Sequence, residues 1–275
     1  MMQHTGTLRL NFVDGLLSHP GFMETDGCYC LCVPENQSLL LVEEHGGNPI
    51  HHELNMEIVL EKNASLHLLK YQNLQSSAHL HATLKIIQQE GSHLQAGFFS
   101  KGALEESQTL TLHQTGTGAT SLLYGFSGPT QDRQCLRHEM DIHHLAPYGQ
   151  SRMLFRGILD GQSKTFLRGR VNVSPDGKHA TVSQGSHYLL LSDRAEASTL
   201  PELEISQDEI KCSHGATIGQ LDEEALFYLC SRGIGPDHAE KMLRQAFVAD
   251  VFENIPSPLK PWLFQQMGYD HESPV

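Results

Sequence analysis

Short runs in which apolar and polar residues alternate recur up to about residue 218. They are Thr7–Val13, Tyr29–Val33, Ser38–Val42, Glu57–Leu60, Ser65–Tyr71, His79–Ile87, Thr109–His113, Phe166–Val173 and Tyr188–Leu191. A period of two sends successive side chains to opposite faces, so each run predicts a β-strand with one buried face. Turn formers separate them: Gly46-Gly47-Asn48, Glu61-Lys62-Asn63, Gly116-Thr117-Gly118, Asp160-Gly161 and Pro175-Asp176-Gly177. No stretch between about residues 50 and 200 carries a helical period. A sandwich, a barrel and a solenoid all satisfy many short strands with frequent turns. The regular return of the turn signals leans toward a solenoid. So does the faint likeness of ASLHLLKYQN, ATLKIIQQEG and QTLTLHQTG. The expected fold is therefore mainly β, a right-handed parallel β-helix over residues 1–219.

The pattern changes near residue 219. Asp222 can cap a helix whose first turn carries Glu223 and Glu224, at the positive end of the helix dipole. Leu226, Leu229 and Cys230 share a face, and Gly233 ends the helix. Pro236 suits the first turn of a second helix, where Met242, Leu243, Ala246, Phe247 and Val251 form an apolar stripe. Pro256 stops it. A third helix carries Leu259, Trp262 and Leu263 and closes near Gly268, leaving a HESPV tail expected to fray. Residues 220–275 thus read as a small C-terminal α-helical domain, with most of its apolar stripe serving as its own core.

Composition narrows the function. The chain has 275 residues, 39% of them hydrophobic and 19% charged, which is globular and large enough to bury a core without disulfides or a structural metal. A net charge of −13 opposes binding to phosphate backbones and anionic lipid, so neither nucleic acid nor membrane is an expected partner. No apolar run is long enough to span a bilayer, and the first residues lack a secretory pattern. Six cysteines without a CxxC pair fit reduced thiols in a cytoplasmic setting. There is no GxxxxGK[ST] loop, and Gly116–Thr120 is only a turn.

Four groups of residues carry candidate chemistry. Cys212 and His214 sit two apart in an extended segment, so both lie on one face. Thiolate and imidazole suit iron or a nascent Fe–S cluster, but two ligands leave a site incomplete. Cys28, Cys30 and Cys32 alternate in CYCLCV and read first as small core residues, with a soft metal as the other reading. His138, His143, His144 and Glu139 offer a metal site on a cupin-like barrel, the leading alternative; His79 and His81 make the same weaker suggestion. Lys164, Arg168 and Arg170 with Asp160 and Asp193 suggest a lyase groove, against the simpler reading of solvated charges on strand faces.

The segment KCSHGATIGQLDEEALFYLCSRGI (Lys211–Ile234) resembles the signature that ends the β-helix and opens the helical domain in the SufB/SufD family. Phe155–Gly177 and Leu189–Ile205 are similar to core blocks of that family; Leu39–Gly47 and Met56–Leu66 are so less strongly. The run Cys212–Thr217, with His214, matches the SufD type rather than the SufB type. Two departures stand out. Typical members are longer and begin with a separate helical domain, near whose end this sequence starts, and DGKHATVSQGSHY replaces the usual loop after the core proline. The resemblance implies a non-catalytic scaffold subunit of the SUF iron–sulfur cluster machinery. It implies a SufB-type partner paired through the β-helix edge and a SufC-type ATPase docked on the C-terminal helices. It places His214, with Cys212 beside it, at the SufB interface, as ligands of a transient Fe–S cluster; no cofactor is expected to stay bound to the isolated chain. A homodimer through the same edge is the remaining alternative.

Overall fold

The computed structural model describes residues 5–13, 23–25, 28–47, 51–130 and 133–269. Asp14, Gly15, Asn48 and the HESPV tail lie outside them. Among the described residues sixteen strands precede three helices. The strands are β1 (Thr5–Val13), β2 (Met23–Thr25), β3 (Cys28–Val33), β4 (Ser38–Gly46), β5 (His51–Leu60), β6 (Ser65–Gln72), β7 (His79–Gln88) and β8 (His93–Ser100). They continue as β9 (Glu105–Gln114), β10 (Thr120–Thr130), β11 (Cys135–His144), β12 (Gln150–Leu159), β13 (Lys164–Val173), β14 (Thr181–Leu190), β15 (Glu196–Ile205) and β16 (Lys211–Gly219). The helices are α1 (Glu223–Ser231), α2 (Pro236–Phe252) and α3 (Lys260–Met267).

Successive strands alternate between two sheets. One runs β1-β4-β6-β8-β10-β12-β14-β16, the other β2-β3-β5-β7-β9-β11-β13-β15, and every pairing is parallel except β2 with β3. This is a parallel β-solenoid of about six turns, the stacked-coil alternative among those the alternation left open. One corner recurs in the coils from β3–β4 to β13–β14. Asn36, Asn63, Gly91, Gly118, Tyr148 and His179 all take a left-handed backbone there. Each sends its N–H to a carbonyl one coil on, as from Asn36 to Lys62 and from His179 to Glu209. Asn and Gly tolerate this conformation readily, and Tyr148 and His179 hold it while stacking on each other at 4.9 Å.

Inward positions fill the lumen with Leu, Ile, Ala and Phe, among them Leu41, Leu68, Ala96, Phe98 and Leu123 of the first sheet against Met56, Leu84, Leu110 and Met140 of the second. Two charged groups interrupt this core. Glu43, wholly buried, lies 2.7 Å from Lys70 and 2.5 Å from His45. Burial opposes its ionisation, but the Lys70 charge and the His45 hydrogen bond outweigh that and hold the carboxyl down at about 2. Glu106 accepts from Ser100, Gln108 and Gln72 and faces His138 at 3.2 Å. Here too burial is outweighed, chiefly by His138, and the carboxyl sits at about 2.

The helical segment does not bury its apolar stripe within itself. Val248, Val251, Phe252 and Ile255, with Leu259, Leu263 and Met267, pack on the outer face of the first sheet, against Val42, Leu69, Tyr71, Phe99, Tyr124, Phe126, Leu154 and Ile158. Arg156 pairs with Asp250 through two contacts at the margin. The expected α2 stripe is therefore corrected. Ala246 is exposed and Met242, Leu243 and Phe247 are only half-buried, because the aromatic wall of the sheet sets which face turns inward. Other details follow the expected chemistry. The Asp222 carboxylate accepts from the N–H groups of Glu224 and Ala225, Pro236 opens α2, and Gly268 ends α3 in a left-handed conformation.

Burial depresses His52, His67 and His144 to about 4. An unfolded histidine titrates near 6.5, so between pH 6.5 and 4 the unfolded chain binds more protons than the folded one, and stability rises with pH across that window. Each histidine is expected to remove about 1–2 kcal/mol on acidification from pH 7 to 5. Thermal melts at pH 7, 6 and 5 check this: the midpoint should fall at each step, and a constant midpoint would contradict burial of these rings.

Candidate functional site at the open end of the solenoid

The last coil consists of β15 and β16. β16 pairs with β14, β15 pairs with β13, and among the described residues neither has a strand on its other side. Both therefore present a row of unpaired N–H and C=O groups, the usual template for adding another chain. All nine residues of β16 are exposed.

Register decides where the candidate ligands point. Cys212 aligns with Val182 and His214 with Gln184, and both partners are buried inward positions. Cys212, His214, Ala216 and Ile218 thus continue the lumen-facing columns one coil beyond the closed core. Facing them from β15, Thr199, Pro201, Leu203 and Ile205 extend the columns of Leu167, Gly169, Val171 and Val173. Core-type positions with no next coil to cover them leave apolar surface open, and Ile205 and Ile218 are each 44% exposed. From the coil beneath, Ser186, near Gln184 on β14, bonds to Thr199 across the lumen at 2.7 Å. Desolvation raises the Cys212 thiol above its ordinary value.

The thiol and imidazole thus share a face, as their spacing requires, and that face is the uncapped end. Together they supply two donors. Among the described residues no group of three or more His, Cys, Asp or Glu side chains is placed to hold a metal ion. A cluster bound here would draw its other ligands from a second molecule.

The other candidates do not assemble. His138 and His144 point into the lumen, toward Glu106 and toward Ser151 at 2.8 Å, whereas Glu139 and His143 point outward. Glu139 pairs with Arg137, and His143 stacks on His113 at 4.8 Å. The cupin-like reading fails because alternation splits its ligands between two faces of β11 and the fold is a solenoid. Of the lyase candidates, Lys164, Arg168 and Arg170 pair with Glu196, Glu202 and Asp141, while Asp160 accepts from the N–H of Gly161 in its own turn. These are ion pairs and a turn, and Asp193 lines a polar groove with Lys164 and Glu196. His79 pairs with Glu105 at 3.0 Å on the outer face of the second sheet. The three cysteines of β3 are not core residues: Tyr29, Leu31 and Val33 take the inward positions, and the thiols face outward.

A second exposed feature escaped the reading of α1 as an ordinary amphipathic helix. Phe227 is 74% and Tyr228 57% exposed, on a helix that has no fully buried residue. Two adjacent aromatic residues beside the apolar face were the available signal.

Comparison with known proteins identifies the family this chain resembles. The model of the SUF system FeS cluster assembly, SufBD core domain family matches residues 29–247. The chain is 30% identical over 215 residues to the iron–sulfur cluster assembly protein SufD of Escherichia coli, covering 76% of this chain and 49% of that protein. It is 29% identical over 242 residues to an iron–sulfur cluster assembly SufBD family protein of Synechocystis, covering 82% and 52%. It is 30% identical over 241 residues to the chloroplastic protein ABCI7 of Arabidopsis thaliana, covering 82% and 48%. The chain spans about half the length of these curated relatives.

Proposed function

Since this chain belongs to the SufBD core domain family of the SUF system for iron–sulfur cluster assembly, we propose that it acts as a SufD-type scaffold that pairs with a SufB-type subunit. The observation that carries this reading is the uncapped β15–β16 end. It combines unpaired strand edges, exposed apolar positions and two metal-type donors on one surface. A second β-solenoid laid on that end would satisfy the edges and cover Ile205 and Ile218. It would also bring further donors to Cys212 and His214. The cluster is cargo, held between the two subunits and passed on, and this chain supplies positioning and part of the ligand set rather than catalysis. Exposed thiols also fit a reducing, cytosol-like compartment.

In the same reading α1 receives a SufC-type ATPase. Its exposed Phe227 and Tyr228 are aromatic anchors of the kind that dominate binding energy at interfaces. Removing the whole helical segment is a poor test of this, because it would strip the apolar outer face of the first sheet. Phe227→Asp is the clean variant, and an ATPase that binds it as well as wild type would overturn the assignment.

His214→Ala tests the site. The ring is exposed and the solenoid does not need it, so the melting midpoint should stay within about 1 °C of wild type. Cluster yield on the reconstituted complex should fall several-fold, read from the visible absorbance of the assembled cluster. Full yield from this variant would remove His214 from the ligand set. The homodimer reading uses the same edge, and the mass of the isolated chain in solution separates it from pairing that requires a SufB-type subunit.

A further inference from the structure

The outward thiol row of β3 lies in the first coils of the solenoid, remote from the β15–β16 end and outside the function proposed above. Cysteine is among the residues most often buried, so three on the solvent side of one strand are unusual. Cys30 and Cys32 are exposed, Cys28 is half-buried, and all three are free. We propose that Cys28, Cys30 and Cys32 form a binding site for a soft, thiophilic metal ion of the Cu(I) class, held between two neighbouring thiolates of the row.

Geometry supports two-thiolate binding over the alternatives. Cys28, Cys30 and Cys32 alternate along β3 opposite the inward Tyr29, Leu31 and Val33, so their thiols leave the same face of the strand in a row. Cys28 Sγ also lies 3.9 Å from the carbonyl oxygen of Tyr29. Soft thiolate ligands select an ion of the Cu(I) class, and two neighbouring thiols of the row supply two of them. A disulfide fits less well. Residues two apart on a strand have Cα atoms roughly 6.8 Å apart, at the upper limit for that bond, and the neighbouring strand β5 holds β3 extended. An ion between the sulfurs spans a longer gap without bending the strand.

The surrounding charge suits a cation. Glu57 is in register with Cys30, and the Glu61 carboxylate is close enough to Cys32 to act on its thiol. Burial, and then Cys30 beside Cys28 and Glu61 beside Cys32, raise these two thiols above their ordinary value. Binding between two thiols forms two metal–sulfur bonds and releases two protons to solvent.

The test is an anaerobic titration of the full chain with Cu(I), in competition with a chromophoric Cu(I) chelator. Three proteins are compared: wild type, Cys28→Ser/Cys30→Ser/Cys32→Ser, and Cys135→Ser/Cys212→Ser/Cys230→Ser. Wild type and the second variant should withhold the first equivalent from the chelator, and the β3 variant should lose it. The single variant Cys30→Ser, at an exposed position that cannot unfold the chain, should weaken the competition. X-ray absorption of the loaded protein should show a sulfur shell around copper. The proposal is overturned if the β3 variant retains the first equivalent, if wild type never competes, or if the shell contains only nitrogen and oxygen.

Discussion

Replacing Lys70 by methionine is expected to destabilise the protein by about 3–5 kcal/mol, a large share of the total stability of a typical domain. Glu43 is completely buried, and Lys70 is the nearby cation that offsets the cost of desolvating it. Methionine keeps the volume of the side chain but leaves the carboxylate with His45 alone. Taking both charges away should cost far less, because a matched apolar pair in the lumen needs no desolvation of ions. Urea unfolding followed by circular dichroism checks both parts. The Lys70→Met midpoint should fall steeply, and Glu43→Leu/Lys70→Met should recover most of the loss. A single-variant loss below about 1 kcal/mol would mean that water reaches this part of the lumen and screens Glu43.

Phe252→Ala should cost about 3–5 kcal/mol, through the lost transfer of the ring and the cavity it leaves. Phe252 sits where the helical segment meets the sheet, with ring centroids 5.6 Å from Phe99, 5.7 Å from Phe126 and 4.7 Å from Phe264. Its loss should loosen α2 and α3 first, since the lumen core is built without it. Amide hydrogen exchange should then rise across Pro236–Met267 while β6, β8 and β12 keep their lumen-side protection. Unchanged exchange in the helices would contradict the shared core.

How legible these features were in the sequence follows from which face each strand buries. Strands of the second sheet, with one face in the lumen and one in water, announce themselves by alternation: β5, β7, β9 and β13 bury every second residue. In the first sheet the C-terminal halves of β6, β8 and β12 are buried on both faces, by the lumen and by the helices. HLQAGFFS and QSRMLFRGIL therefore lose the period-two signal, and neither stood out as a strand. The corner was signalled by the turn formers at Asn63 and Gly118 but faded where Tyr148 and His179 occupy the same left-handed conformation.

At the candidate site, spacing alone places Cys212 and His214 on one face, and the register agrees. That this face is the uncapped end depends on strand order, which no local pattern encodes. The same limit applies to CYCLCV. Alternation says that the three thiols agree in direction, while the choice between lumen and solvent rests with Tyr29, Leu31 and Val33 winning the inward positions. Likewise, HEMDIHHL gathers ligand types in sequence and parts them in space.

The central claim is that the β15–β16 end pairs with a SufB-type subunit while α1 independently holds the ATPase. The most direct measurement is a pull-down of both partners on this chain, with the mass of each complex determined by light scattering. Wild type should retain both. Ile218→Asp, which puts a charge on the exposed apolar end, should lose the SufB-type subunit and keep the ATPase, and Phe227→Asp should do the reverse. Retention of the SufB-type subunit by Ile218→Asp at wild-type affinity, or failure of wild type to bind it, would contradict the account.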